Sequence, residues 1–268
     1  MPELPEVETI KNGLMELVGT QISQVILRFP RLRYPLNQQQ LDQALQQKIC
    51  SISRRAKYLI FHLETGYLIF HLGMSGRLTL HPNNPTLQKH DHVDILCGHY
   101  ILRYNDPRRF GCIIYSTSLN DCPMLANLGP EPLTNKFTAE YLHLKIIKRN
   151  RPIKQLIMDN AIVVGIGNIY ACEALFLTKL SPLRCGINLS LHECSALVAN
   201  IQSVLSAAIA AGGSSLRDYK NAQGELGYFQ QSHKVYARAN QACGHCGTLI
   251  AEVRLGQRNS FYCPSCQR

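Results

Sequence analysis

Four cysteines near the C-terminus, Cys243-x2-Cys246-x16-Cys263-x2-Cys266, constrain the fold of this 268-residue chain more than any other feature. Two CxxC pairs at this separation suit one tetrahedral metal ion held by four thiolates, a closed site with no position left for water. Between them, residues 249–255 and 260–262 read as two short strands turning near Gly256-Gln257-Arg258. So small a hairpin cannot build its own hydrophobic core, and metal binding supplies the folding free energy instead. The expectation is one structural zinc (Zn2+) in a ribbon; a redox dithiol is the alternative, and it does not need the second pair. Arg258, at the ribbon's tip, suits a phosphate. The other seven cysteines, and His245 between two ligands, are given no metal role. Eleven cysteines at irregular spacing, an odd number, argue against a disulfide framework and for reduced thiols in a cytoplasmic protein.

The rest of the chain divides by pattern. Residues 5–17 carry a helical stripe of Val7, Ile10, Leu14 and Leu17, with Gly19 as C-cap. Strand-like segments follow at 21–29, 78–80, 93–96, 100–104 and 112–115, with a hairpin of 58–63 and 67–72 around Glu64-Thr65-Gly66. Many short strands separated by turn signals predict a β-sandwich. Leu128-Gly129-Pro130-Glu131-Pro132 ends this pattern, and helical stretches succeed it at 138–149, 153–160, 168–178 and 190–211. The last of these opens with Ser190 and Glu193 at capping-box spacing. Residues 212–232 are rich in Gly, Ser and Gln and read as a long loop. The chain is therefore expected to be α+β, with domains at 2–130, 131–232 and 233–268.

Charge narrows the partner. The formal net charge is +10, unevenly spread: residues 1–130 hold 13 basic and 10 acidic side chains, residues 131–268 hold 15 and 8. A polyanion is favoured, with more phosphate contacts in the C-terminal half, although a ribosomal or membrane-surface protein would fit this balance too. No apolar run approaches the ~20 residues of a membrane span. The start, with Glu3, Glu6 and Glu8, is acidic where a secretory signal would be basic and then apolar.

Several short strings carry chemistry. The chain begins Met1-Pro2-Glu3-Leu4-Pro5-Glu6-Val7-Glu8. Trimming Met1 would expose Pro2 as a secondary amine with a pKa near ~8, able to attack an electrophilic carbon and form an iminium. Glu3 stands beside it for proton transfer; a solvated terminus is the plain alternative. Gly165-Ile166-Gly167-Asn168 precedes a helix, where backbone N–H groups and the helix dipole favour an anion. Arg54-Arg55-Ala56-Lys57-Tyr58 sets three cations before a strand, which by itself reads as a solvated basic face. His71-Leu72-Gly73-Met74-Ser75-Gly76-Arg77 and Asp106-Pro107-Arg108-Arg109-Phe110-Gly111 hold a flexible Met, a planar Arg and a flat Phe. Such side chains can fill the hole left by an extruded base, although the residues alone favour core packing for Met74 and Phe110. Lys89-His90-Asp91-His92 could pass for a metal site, but lacks a second cluster.

Together these strings resemble the formamidopyrimidine-DNA glycosylases, which excise oxidised purines and nick the abasic strand. The resemblance runs from Pro2 to Gln267 and is weakest at 20–50, 112–124 and 212–235. It implies an N-terminal β-sandwich with a leading helix, and a helical helix–two-turns–helix domain ending in the zinc ribbon. It also implies a monomeric base-excision-repair enzyme acting on damaged double-stranded DNA. Pro2, Glu3, Lys57 and Arg258 would be catalytic. Met74, Arg108 and Phe110 would form the wedge, and His90, Arg109, Asn150, Lys154 and Asn168 would contact DNA. The loop at 214–223, with Arg217, Tyr219 and Lys220, would cover the everted base. Two other readings stay open: the same chemistry on oxidised pyrimidines, and a zinc-ribbon nucleic-acid binder without catalysis.

Overall fold

The computed structural model describes residues 2–83, 85–214 and 232–268. They fall into two units, 2–126 with 211–214, and 127–210 with 232–268. The ribbon thus belongs with the helices in one unit, and the chain returns to the first unit at 211. Of the expected 214–223 loop only Ser214 is among the described residues; Arg217, Tyr219 and Lys220 lie outside them.

In the first unit, α1 (Leu4–Gly13) begins at a capping box between Glu3 and Glu6, with Pro5 in its first turn. The expected helix to residue 17 ends early: Leu14 is its C-cap, and a separate 3-10 turn, Met15–Leu17, carries the stripe onward. Gly19 does not cap the helix; at φ +91° it turns the chain and donates its N–H to the Ile49 carbonyl. Val7, Ile10, Leu14 and Leu17 are all buried in one cluster with the strands.

Two four-stranded antiparallel sheets make the sandwich. One has the order β1 (Ile22–Leu27), β6 (Asp91–Cys97), β7 (Tyr100–Asn105), β5 (Arg77–His81). The other runs β2 (Ile49–Arg55), β3 (Tyr58–Leu63), β4 (Tyr67–His71), β8 (Cys112–Ser116). Sequence patterning missed β2 and the short α2 (Gln38–Asp42). In β2 only Ile49 and Ile52 are buried, too sparse an apolar signal for an alternation rule. By contrast β3 reads as a continuous apolar run because both its faces are covered. Leu59, Phe61 and Leu63 enter the inter-sheet core, while Ile60 packs with Ile69 against Cys122, Met124 and Leu125 on the outside.

The second unit holds α3 (Ala139–Ile146), α4 (Ile153–Ile157), α5 (Asn168–Leu177) and α6 (Leu191–Ala210), then β9 (Ala251–Leu255) and β10 (Arg258–Tyr262). Thr138 caps α3 by accepting the Tyr141 N–H, and the Ser190–Glu193 capping box opens α6. At twenty residues, α6 is long and apolar enough to cross a membrane, contrary to the sequence expectation. Here its apolar face buries Cys194, Leu197, Ile201 and Leu205 while the helix packs on α3 and α5.

Candidate active site and nucleic-acid interface

The amino-terminal segment is buried. Pro2 and Glu3 are enclosed, and Glu3 is 2% exposed. Glu6, also buried, accepts the Glu3 N–H at 2.8 Å on one carboxylate oxygen and the Ser214 N–H at 2.7 Å on the other. It therefore ties the start of the chain to Ser214. Two residues on, Glu8 accepts from Arg54 Nε at 2.6 Å, and Arg54 also donates to the Ala56 carbonyl at 2.9 Å. Arg54 thus pins α1 to the β2–β3 turn. That turn is two residues long, Ala56 lying at φ 54° between the paired Arg55 and Tyr58, and it presents Lys57 half-buried. His71, at the end of β4, stands near Lys57. Burial, with Lys57 and Arg33 adding positive charge, pushes its imidazole down to about 4. The ring is neutral at pH 7 and accepts the Gly73 N–H on Nδ1 at 3.0 Å. Neither His71 nor Glu6 stands out by sequence pattern.

The two segments carrying Met74 and Arg108–Phe110 interlock. Gly73, at φ +61°, lies so close to the 110–111 backbone that a Cβ would meet the Phe110 carbonyl carbon at 2.4 Å; one on Gly111 would strike the Tyr104 hydroxyl at 1.8 Å. At the tip, Phe110 is 48% exposed and is no core residue. The Arg108 guanidinium lies 4.9 Å above its ring. Arg109, left-handed at φ 57°, is exposed and stacks on Phe29 at 4.9 Å. Met74 is half-buried. With Arg31, Arg33, His71, Arg109 and Phe110 it borders a cavity of about 560 Å³. His90 is half-buried at φ 76°, and its carbonyl accepts the Asp106 N–H. It joins no metal cluster: among the described residues the grouped metal-type ligands are the four cysteines.

In the second unit the Sγ atoms of Cys243, Cys246, Cys263 and Cys266 lie within 4.8 Å of one another. Pairs stand at 3.4, 3.5 and 4.0 Å. Four sulfurs about 2.3 Å from a tetrahedral zinc are about 3.8 Å apart, so the arrangement fits one structural zinc. Cys243 and Cys263 are buried against Cys172, Val235 and Ile250, which seats the ribbon on α5. Arg258 is exposed at the hairpin tip, after a turn with Gly256 at φ +61°. It borders a cavity of about 220 Å³ with Gln155, Met158 and Leu255.

Lys154, expected to contact DNA, is 1% exposed. Its Nζ donates to Asn168 Oδ1 at 2.6 Å, Ser260 Oγ at 2.5 Å and the Asn259 carbonyl at 3.2 Å. A buried ammonium needs such partners. Asn168, the first residue of α5, donates to the Asn259 carbonyl at 2.9 Å. Lys154 and Asn168 therefore link α4, the start of α5 and the ribbon. Glu173, buried one turn further along α5, accepts the N–H groups of Lys234, Val235 and Tyr236 at 2.8, 3.0 and 2.8 Å. Asn150 is exposed beyond α3. We expect Lys154→Ala to destabilise the second unit by about 1–3 kcal/mol, because buried oxygens lose their donor. An unchanged thermal denaturation midpoint would contradict this.

Three comparisons converge with this geometry. Family models match along the chain: the formamidopyrimidine-DNA glycosylase N-terminal domain over residues 1–113, the H2TH domain of the same enzymes over 128–220, and the zinc finger found in FPG and IleRS over 240–268. A formamidopyrimidine-DNA glycosylase of Pasteurella multocida is 48% identical over 270 residues, covering 100% of both chains. Among solved structures, wild-type Lactococcus lactis Fpg (MutM) in complex with N7-benzyl-Fapy-dG DNA superposes with a TM-score of 0.91 at 32% identity, covering 100% of each chain. The Lactococcus lactis Fpg complex with abasic-site DNA gives 0.91 at 33% identity and 99% coverage of each. With three family models matched in order along the chain and a full-length relative at 48% identity, this chain belongs to the formamidopyrimidine-DNA glycosylase family.

Proposed function

We propose that Pro2 is the nucleophile with which this protein removes oxidised purines, 8-oxoguanine and formamidopyrimidines, from duplex DNA. The protein is a base-excision-repair glycosylase with abasic-site lyase activity. One observation carries the assignment. The enclosed Pro2–Glu3 segment is pinned through Arg54 to the turn that presents Lys57, in the same unit as the exposed Arg108–Phe110 pair. With Met1 removed, the Pro2 lone pair attacks C1′ of the damaged nucleotide; the base departs with the electrons of its glycosidic bond and takes up the proton that the Pro2 nitrogen loses. Glu3 delivers a proton to the sugar ring oxygen; the ring opens and leaves an iminium between Pro2 and C1′. The iminium acidifies the C2′ proton, so β-elimination expels the 3′ phosphate and δ-elimination the 5′ phosphate. Lys57 meets the lesion phosphate and moves protons, and Arg258 steadies charge on the flanking phosphate. Zinc takes no part in these steps; it holds the ribbon that carries Arg258. Met74, Arg108 and Phe110 fill the hole in the duplex, with His90, Arg109, Asn150 and Asn168 on the backbone. We assign the working domains to 2–130, 131–232 and 233–268, and the protein to the cytoplasm, acting as a single chain.

Borohydride trapping on an 8-oxoguanine duplex tests the amine chemistry: a covalent adduct through Pro2 is expected, and its absence would remove the lyase mechanism. The wedge has its own test. Arg108→Ala and Phe110→Ala should impair excision of a paired lesion by about tenfold or more, and cleavage of a preformed abasic site far less. An abasic site has no base whose unstacking, worth a few kcal/mol, must be offset. Equal losses on both substrates would assign these residues to the fold alone.

Salt dependence separates a phosphate ligand from a structural lysine. Arg258→Ala should lower the slope of log affinity against log salt by about one unit. Lys154→Ala should weaken binding with an unchanged slope, because its charge is spent on protein oxygens. A slope change of one unit for Lys154→Ala would restore it to the DNA interface.

A further inference from the structure

Beyond the side chains that touch DNA, the first unit holds a buried carboxylate at the junction of the two wedge segments. Asp106 is 0% exposed. Its Oδ1 accepts the Ser75 hydroxyl at 2.7 Å and the Arg108 N–H at 3.2 Å. Its Oδ2 accepts the Gly111 N–H at 2.9 Å and lies 3.3 Å from the Tyr104 hydroxyl. A carboxylate offers about four lone-pair sites, and these four donors fill them. The backbone of Asp106 is held as well: its N–H donates to the His90 carbonyl, and its carbonyl accepts from His92 Nε2 at 2.8 Å and from the Arg109 N–H.

These donors lie on either side of the residues that protrude. Arg108 and Gly111 flank Arg109, whose left-handed backbone folds the segment back on itself. Ser75 follows Met74, and its Oγ also accepts the Arg108 N–H at 3.1 Å. One carboxylate thus sets the direction of Arg108, Phe110 and Met74 together. Side chains that must part stacked bases work only if the backbone behind them does not yield. We propose that Asp106 is the positioning residue of the wedge, acting on base extrusion through Arg108, Phe110 and Met74 and not on the chemistry at C1′. The proposal rests on the reading of those three residues as the wedge.

Asp106→Asn tests it. The carboxamide keeps the shape but turns an NH2 group toward two of the four donors, leaving only one oxygen as acceptor. Excision of 8-oxoguanine paired with cytosine should fall about tenfold or more, while cleavage of a preformed abasic site falls less than about threefold. A 2-aminopurine placed next to the lesion should show a slowed fluorescence rise, because unstacking is the step affected. Ser75→Ala, which leaves the carboxylate in place, should show the same selectivity at smaller size and guards against misfolding of Asp106→Asn. The double variant Asp106→Asn with Phe110→Ala should be no worse on the paired lesion than the worse single variant, since both act on one step. Suppose Arg108→Ala and Phe110→Ala are selective, but Asp106→Asn and Ser75→Ala lose both activities equally or neither. The wedge then stands and the role of Asp106 is overturned. If Arg108→Ala and Phe110→Ala are themselves unselective, the wedge reading fails, and the inference about Asp106 falls with it.

Discussion

A form of the protein that keeps one residue ahead of Pro2 is expected to bind an 8-oxoguanine duplex and to yield no covalent adduct on borohydride trapping. Base release should fall by more than about a thousandfold, the scale on which removing a nucleophile acts. The proline nitrogen would then be an amide with no available lone pair. The added residue must also be accommodated where Pro2 and Glu3 are buried, so undamaged-duplex affinity and thermal stability have to be measured alongside. Glu3→Gln should suppress base release and spare more of the cleavage at a preformed abasic site, whose aldehyde is already electrophilic. Lys57 is the rival nucleophile. A lysine amine is mostly protonated at neutral pH unless its surroundings lower its pKa, so Lys57→Ala should still form some adduct. If the extended protein traps normally and Lys57→Ala does not, the catalytic assignment moves from Pro2 to Lys57.

Replacing any one of Cys243, Cys246, Cys263 or Cys266 by Ser is expected to release the zinc and reduce DNA affinity by at least about a hundredfold. The ribbon's contacts vanish together, not singly. Apparent binding free energies of about 10–16 kcal/mol for such sites are also folding free energies, and β9 and β10 alone bury little. Ser260, Cys263 and Ile250 are buried, but most of the hairpin is not. Opening it would cost Lys154 two acceptors, Ser260 Oγ and the Asn259 carbonyl, and would release Asn168 from its second partner. The damage should therefore reach the start of α5, while residues 2–126 remain folded. Metal analysis finding one zinc per chain in all four variants would refute the site, and unchanged affinity in zinc-free protein would refute its role.

The amino-acid sequence by itself determined whatever depends on local spacing. The four thiolates at CxxC intervals, the Val7-Ile10-Leu14 stripe, the hairpin read at 58–63 and 67–72 and the Ser190–Glu193 capping box were all legible. In each, the interacting groups are neighbours within one motif, none further apart than the 23 residues between Cys243 and Cys266. The strings around Pro2, Met74 and Phe110 were legible as a resemblance. Only the tertiary structure decided which charged side chains are spent inside the protein. Lys154 is joined to Ser260, 106 residues away, and Glu6 to Ser214, 208 residues away. Asp106 brings in Ser75, 31 residues away, beside its near neighbours Tyr104 and Gly111. A lysine or a carboxylate has the same letter whether it faces water or three buried donors or acceptors. Its role is set by which distant backbone and hydroxyl groups the packed sheets and helices bring within about 3 Å of it.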